Sequence, residues 1–178
     1  GIGDVNVTLG DAATLAQLVT LDSLTTGTIT GSCAVADTTA LLAAGTGLVS
    51  GHAIALTSVD ETAAGGAHTV ASADLITLNA RTTGLITVGA TTITGTAASV
   101  KALYATANTE ITGLGNEAIT LSDTTIAASD IAAVDALTTG AVNAGTVATI
   151  TGTQAEIVAA YALNTATTTT GLGNEAIT

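Results

Sequence analysis

Apolar positions follow two alternating patterns along the chain. Ile131, Val134 and Leu137 fall three apart in an alanine-rich run from Ile126 to Leu137. That spacing predicts a short helix with one buried stripe. Leu18, Leu21 and Leu24 repeat it, as do Leu75 and Leu78 with Arg81 in the third place. Asp130 and Asp135 lie off the stripe and are expected to be solvated. Thr138-Thr139-Gly140 is expected to end the helix, with glycine free to adopt a left-handed C-terminal cap. Between such runs the pattern changes period. Glu117 to Thr120 is a short extended stretch, and Val147/Thr149 alternate close to Val142 and Ile150, which predicts strand. Thr153 with Glu156 three residues on matches a capping box at the start of a helix from Gln154 to Leu163. This helix presents Ile157 and Tyr161 four apart, matching Val100 and Tyr104 after Thr96 and Ser99.

These elements recur. Gly113-Leu-Gly-Asn-Glu-Ala-Ile-Thr120 returns letter for letter as Gly171 to Thr178, and a degenerate copy runs from Gly1 to Thr8. Thr-Thr-Gly stands at residues 25–27, 82–84 and 138–140, and Ile-Thr-Gly-Thr at 93–96 and 150–153. Tyr104 and Tyr161 keep the same phase. A fixed period of ~57 residues is the mark of a repeat architecture. The expected organisation is one array: unit one at 1–51, worn in its second half, with a helix over Thr38 to Ala44; unit two at 52–112, with an inserted loop at about 58–66; unit three at 113–170; and the start of a further unit at 171–178. The chain reads as an excerpt of a longer array.

Each unit divides into two strand–helix halves of ~28 residues. Strands joined through helices of this length run parallel, because parallel pairing needs a crossover. The expected fold is therefore α/β, a repeat solenoid of about six coils with a parallel sheet. Ile119, Ile150, Val147, Ile131, Val134 and Ile157 would share its core. An all-β solenoid is the alternative; alanine favours helices and is depleted in strands, which supports the α/β form.

Composition adds constraints. Charged residues make up 9% of the chain, against about 25% in ordinary domains. Pro, Met, Trp and Phe are absent, and there are two Tyr. A core without large aromatics is thin and aliphatic, as in stacked repeats. The net charge is −12, with two basic residues, Arg81 and Lys101. Nucleic-acid binding and docking on anionic lipid both need basic residues, so neither is expected. No apolar run is long enough to span a membrane. Cys33 stands alone and is expected to be a small buried apolar residue. An acidic chain poor in lysine, with abundant threonine and glycine, fits a secreted surface protein.

Gly113-Leu-Gly-Asn-Glu-Ala-Ile-Thr-Leu-Ser-Asp123, Asp135-Ala-Leu-Thr-Thr-Gly140 and Ile150-Thr-Gly-Thr153 resemble the Ala/Thr/Gly-rich tandem repeats of giant secreted cell-surface proteins of marine cyanobacteria. The resemblance covers nearly the whole chain and implies an extracellular structural array. Thr112 to Thr120 also resembles the calcium-binding nonapeptide of secreted bacterial RTX proteins. Gly113, Gly115 and Ile119 match; Thr112 and Glu117 stand where that family has Gly and Asp. In that family consecutive nonapeptides share each ion, whereas here the motif comes once per ~57 residues.

Calcium takes 6–8 oxygen ligands. Asn116, Glu117 and Asp123, with Asp4 and Glu175 in the sister turns, are the candidate metal residues. Their other reading is a glycine turn with solvated acids. Gly113-x-Gly115-x-x-Ala118 fits a dinucleotide fingerprint in letters, but a strand follows it where the fingerprint needs a helix. His52 and His68 have no zinc-ligand spacing, and Ser50 has no nucleophile elbow around it. Asn6-Val7-Thr8 is a chance glycosylation triplet in a threonine-rich chain. Thr91-Thr92 and Thr167 to Thr170 do not form the regular ladder that an ice-binding face needs. No catalytic residue and no cofactor are assigned, and the chain is not expected to be an enzyme. The expected function is a structural segment of an extracellular filament or cell-surface layer, partnered by copies of itself or adjacent repeats end to end. A calcium-dependent secreted adhesin or binding module is the alternative.

Overall fold

A computed structural model describes residues 1, 3–9, 15–36, 53–60, 69–80, 85–107, 109–166 and 168–178, with backbone alone for 15–16, 19, 31–36 and 53–60. The fold is mixed α/β, with five helices among the described residues, which sets aside the all-β alternative. Every strand pair described is parallel. The chain forms two compact units.

The first unit takes Gly1–Gly66, Asp74–Gly89 and Asn108–Gly113. It contains β1 (Val7–Leu9), α1 (Leu15–Leu24), β2 (Ile29–Ala36), β3 (Ala53–Asp60), most of α2 (Ser72–Asn79), β5 (Leu85–Thr87) and β7 (Ile111–Thr112). Its sheet runs in the order β1-β2-β3-β5-β7. Val7 pairs with Ile29, and Ile86 with Ile111. Ile29, Ile86 and Ile111 are fully buried, as are Leu18 of α1 and Leu75 and Leu78 of α2. Leu18 is buried, Leu21 half-buried and Leu24, third in the α1 stripe, 43% exposed: the stripe leaves the core toward the end of the helix.

The second unit takes Ala67–Ala73, Ala90–Ala107 and Leu114–Thr178. Its strands are β4 (Thr69–Ala71), β6 (Thr92–Gly95), β8 (Ala118–Leu121), β9 (Thr125–Ala127), β10 (Val142–Asn143), β11 (Thr149–Thr151), β12 (Thr169–Thr170) and β13 (Ala176–Ile177). Its helices are α3 (Ala97–Tyr104), α4 (Ala128–Asp135) and α5 (Gln154–Ala166). One sheet runs β12-β10-β8-β6-β4 and the other β13-β11-β9. In the first, Val70, Ile93, Ile119, Val142 and Thr169 face one another in a single file, all buried. Strand alternation puts every second side chain inward, and β-branched residues fill that row. Buried Thr169 satisfies its hydroxyl by donating to Asp135 Oδ1 at 3.0 Å.

Helices α3, α4 and α5 pack in succession. Ala97, Val100, Leu103 and Tyr104 are the buried face of α3, and Ala128, Ile131 and Val134 that of α4. Asp123 Oδ2 accepts the N–H of Ala97 at 2.8 Å, so an acid from a later strand turn satisfies an orphan donor at the start of α3. At the start of α5 the capping box is present. Thr153 N–H donates to Glu156 Oε2 at 2.8 Å, and Glu156 N–H to Thr153 Oγ1 at 3.4 Å. At α3, Ser99 N–H donates to Thr96 Oγ1 at 3.2 Å.

Several expectations need correction. The run from Ile126 to Leu137 is not one helix: Ile126 lies in β9, opposite Ile150, and the helix starts at Ala128. Residues 142 to 150 are not one strand region but two strands in different sheets, parted by a turn at Gly145–Thr146. Helix α5 runs beyond Leu163 to Ala166. Ser58–Asp60, placed in an inserted loop, form the end of β3, paired with Leu85–Thr87. Ile157, placed in the core, is half-buried. Asp130 and Asp135 are not fully solvated: both are half-buried, Asp130 bound to Lys101 between α3 and α4 and Asp135 to Thr169. Gly140 is not left-handed. Cys33 lies in β2, its side chain outside those described. Ser50, His52, His68, Arg81, the corner at 82–84 and the helix expected over 38–44 lie outside the described residues.

Candidate functional site

The recurring octapeptide builds a turn between β7 and β8 and again between β12 and β13. Gly113 and Gly171 open the two copies with φ of 86° and 87°, a left-handed conformation that only glycine adopts cheaply. A Cβ on Gly113 would lie 2.2 Å from the carbonyl oxygen of Val88, so both conformation and space demand glycine there.

The glutamate of the turn is not a solvated acid. Glu117 is 2% exposed. Its Oε2 accepts the N–H of Gly115 at 2.8 Å and the hydroxyl of Tyr104 at 2.7 Å. Its Oε1 is buried and has no hydrogen-bond partner. Burial, then the hydrogen bond to Glu117 and its charge, push the Tyr104 phenol far above its ordinary range. The second copy repeats the wiring in a more open setting. Glu175 accepts the N–H of Gly173 on both oxygens, at 3.0 and 2.9 Å, and the hydroxyl of Tyr161 bonds to its Oε2. That bond first, then burial and the carboxylate charge, push Tyr161 up to about 12. Burial raises Glu175, but the bonds from Tyr161 and from the turn amides together outweigh it and hold the carboxyl below its usual range.

The Thr-Thr-Gly corner clamps the turn from the other side. Thr138 Oγ1 donates to the carbonyl of Glu117 at 2.6 Å and accepts from Gly140 N–H at 2.9 Å; Thr139 N–H donates to the carbonyl of Gly115 at 2.9 Å. A Cβ on Gly140 would sit 2.3 Å from Glu117 O. Close approach, not left-handed φ, is therefore what requires glycine at this corner. The first copy has the same clamp: Thr25 Oγ1 donates to Val5 O at 2.6 Å, Gly27 N–H to Thr25 Oγ1 at 2.9 Å, and Thr26 N–H to Gly3 O at 2.8 Å. There Val5 stands in place of the glutamate and is 51% exposed.

The candidate calcium residues are thus distributed among different tasks. Glu117 and Glu175 each bind a tyrosine, Asp123 caps α3, and Asn116 and Asp4 are exposed. Among the described residues no group of three or more His, Cys, Asp or Glu is arranged to hold a metal ion. No helix among them is long and apolar enough to cross a membrane. The tyrosine–glutamate pair is the feature that sequence reasoning missed. Its signal was available: in both copies the glutamate follows the tyrosine by 13 or 14 residues. Chemically the phenol donates to the carboxylate, which fixes the turn against the preceding helix. Comparison with family models, curated proteins and solved structures gave no match.

Proposed function

We propose that the chain is a structural, non-enzymatic repeat segment of an extracellular filament or cell-surface layer, built as an α/β solenoid of strand–helix coils that stack end to end. The observation that carries this reading is the reuse of one device. The same eight letters make the same turn twice, each latched by a tyrosine from the preceding helix to the glutamate of the turn. A site for chemistry is needed once; a joint between successive coils is needed at every coil. The parallel files of β-branched residues support the same reading, since each strand adds to the last without a closing element. The extracellular setting rests on the acidic, lysine-poor composition. The calcium-dependent module draws less support, because Glu117 and Glu175 each commit an oxygen to a tyrosine and to turn amides. Negative-stain electron microscopy of the purified chain tests the proposal. Particles elongating along one axis as concentration rises are expected; uniform compact particles at all concentrations would refute it.

A further inference from the structure

The eighth residue of every described helix is polar: Asp22 in α1, Asn79 in α2, Tyr104 in α3, Asp135 in α4 and Tyr161 in α5. The two tyrosines close the turn latches. Asn79 and Asp135 have a different task. β5 follows α2 and β10 follows α4, and each of these two residues reaches the strand laid beside the one that follows its own helix. Asn79 Nδ2 donates to Glu110 Oε2, directly before β7, and β7 pairs with β5. Asp135 Oδ1 accepts the hydroxyl of Thr169 in β12, and β12 pairs with β10.

The two strands so held are not interchangeable. Ile111 and Thr169 have the same place, opposite Ile86 and Val142, so Glu110 of one strand corresponds to Thr168 of the other. Asn79 brings a donor amide to the carboxylate of Glu110. Asp135 brings carboxylate oxygens, which a hydroxyl satisfies and a second acid does not. Laid beside β10, the 110–112 strand would carry Glu110 up to Asp135, and like charges across neighbouring strands are destabilising.

We propose that Asp135 is a specificity-determining residue for the order of the coils: it admits beside β10 a strand that brings a hydroxyl and turns away one that brings an acid. Asn79 has the opposite preference. Such a device is needed because the strands are alike. Ile29, Ile86, Ile111, Val142 and Thr169, all β-branched, are the buried residues of the strands that follow the helices. Backbone pairing and shape alone do not tell such strands apart, and misassembly between similar units is the characteristic failure of repeat proteins. Selectivity is a difference of affinities, and repulsion of the wrong strand contributes to it as much as attraction of the right one. This inference goes beyond end-to-end stacking and holds whether or not copies of the chain assemble.

Urea unfolding of the full chain tests it. Thr168→Glu gives the β12 strand the acid of its counterpart, at an exposed position, and is made alone and in an Asp135→Asn background. The bond from Thr168 Oγ1 to Leu163 O is lost in both backgrounds and cancels in the comparison. Alone, Thr168→Glu is expected to lower the unfolding midpoint, by less in high salt, where exposed charges are screened. Asp135→Asn/Thr168→Glu recreates the pairing of Asn79 with Glu110 and is expected to regain at least half of the loss. No loss from Thr168→Glu, or an equal loss in both backgrounds, would overturn the proposal. If Thr168→Glu alone does not fold, recovery of folding by Asp135→Asn supports the proposal, and failure of the double variant as well overturns it.

Discussion

The hydroxyl of Tyr104 reaches Glu117 Oε2 at 2.7 Å, closing a buried bond between the end of α3 and a turn 13 residues further on. The carboxylate has one other donor, the amide of Gly115. Tyr104→Phe removes one of two partners from a buried acid, and a hydrogen bond to a charged group contributes about 1.5–3 kcal/mol. Urea unfolding should show a loss in that range. Tyr161→Phe, in the open copy of the same latch, should cost less than about 1 kcal/mol, since exposed groups are rehydrated by water. Equal losses for the two variants would mean that burial of the latch does not set its strength.

The same latch fixes the ionisation of both tyrosines. A free phenol titrates near pH 10. Tyr161 is pushed up to about 12, and Tyr104 lies higher still. Tyrosinate absorbance at 295 nm should therefore stay under roughly a tenth of its full amplitude at pH 11 while the chain is folded. A phenol raised in the folded state favours folding below its unfolded value, and that contribution disappears as pH rises through the folded one. The loss should accordingly begin at about pH 10, where phenols of the unfolded chain ionise, and grow toward pH 12. A full-amplitude step at about pH 10 in folded protein would show that neither hydroxyl is held.

Gly140 supports a sharper steric test. Its Cβ would lie 2.3 Å from Glu117 O, whereas a Cβ on Gly145 would meet only Asn143 Oδ1 at 3.1 Å. Gly140→Ala must part the corner from the turn, and overpacking of this kind costs about 1–3 kcal/mol. Gly145→Ala should lie within about 0.5 kcal/mol of the wild type, as surface changes do. Denaturant midpoints of the two variants compare them directly.

Much of the fold was legible because its signals are local. The capping box at Thr153 and Glu156, the stripe of Ile131 and Val134, and the parallel direction of the strands all follow from spacing within a few residues or from connection length. The missed parts depend on neighbours in space. Ile126 sits before an alanine-rich helix and reads as its first turn, yet its place opposite Ile150 makes it strand; short apolar runs carry no periodicity that separates the two states. Val142 and Thr149 are seven residues apart and belong to different sheets, a division set by their partners, Ile119 and Thr169 for the one and Thr125 and Ala176 for the other. At Gly140 the corner was recognised, but its cause was assigned to φ because the carbonyl of Glu117 is distant in sequence. Glu117 reads from the sequence as a calcium candidate or a solvated acid, because nothing adjacent to it announces Tyr104.

Calcium provides a direct test of what the glycine turns do. A ligand at 100 times its Kd that binds only the folded chain stabilises it by about 2.7 kcal/mol. In a chain of this size that would raise Tm by roughly 5–10 °C. With Glu117 and Glu175 bound to tyrosines, millimolar calcium should shift the melt by less than about 1 °C. A rise of several degrees, abolished by EDTA, would instead favour the binding-module reading and place ions at the turns.

Two acids set the response to low pH. Glu156 is lowered by the Thr153 amide and hydroxyl, and Glu175 by the net effect of Tyr161 and its turn amides over the opposing effect of burial. A carboxyl lowered in the folded state stabilises it at any pH above the unfolded value, and this contribution fades as pH falls through the lower, folded value. The loss should therefore begin near the ordinary glutamate range, about pH 4–5, and continue below it. Glu156 is exposed and Glu175 half-buried near the surface, so solvent screening keeps each effect small. Substituting both by glutamine keeps a side-chain acceptor for Tyr161 and for the Thr153 amide but removes the titration. The Glu156→Gln/Glu175→Gln chain should show a shallower fall in Tm between pH 5 and pH 3 than the wild type, with little difference in its far-UV spectrum at pH 7. Parallel Tm curves for the two proteins over that interval would assign acid sensitivity to other carboxylates.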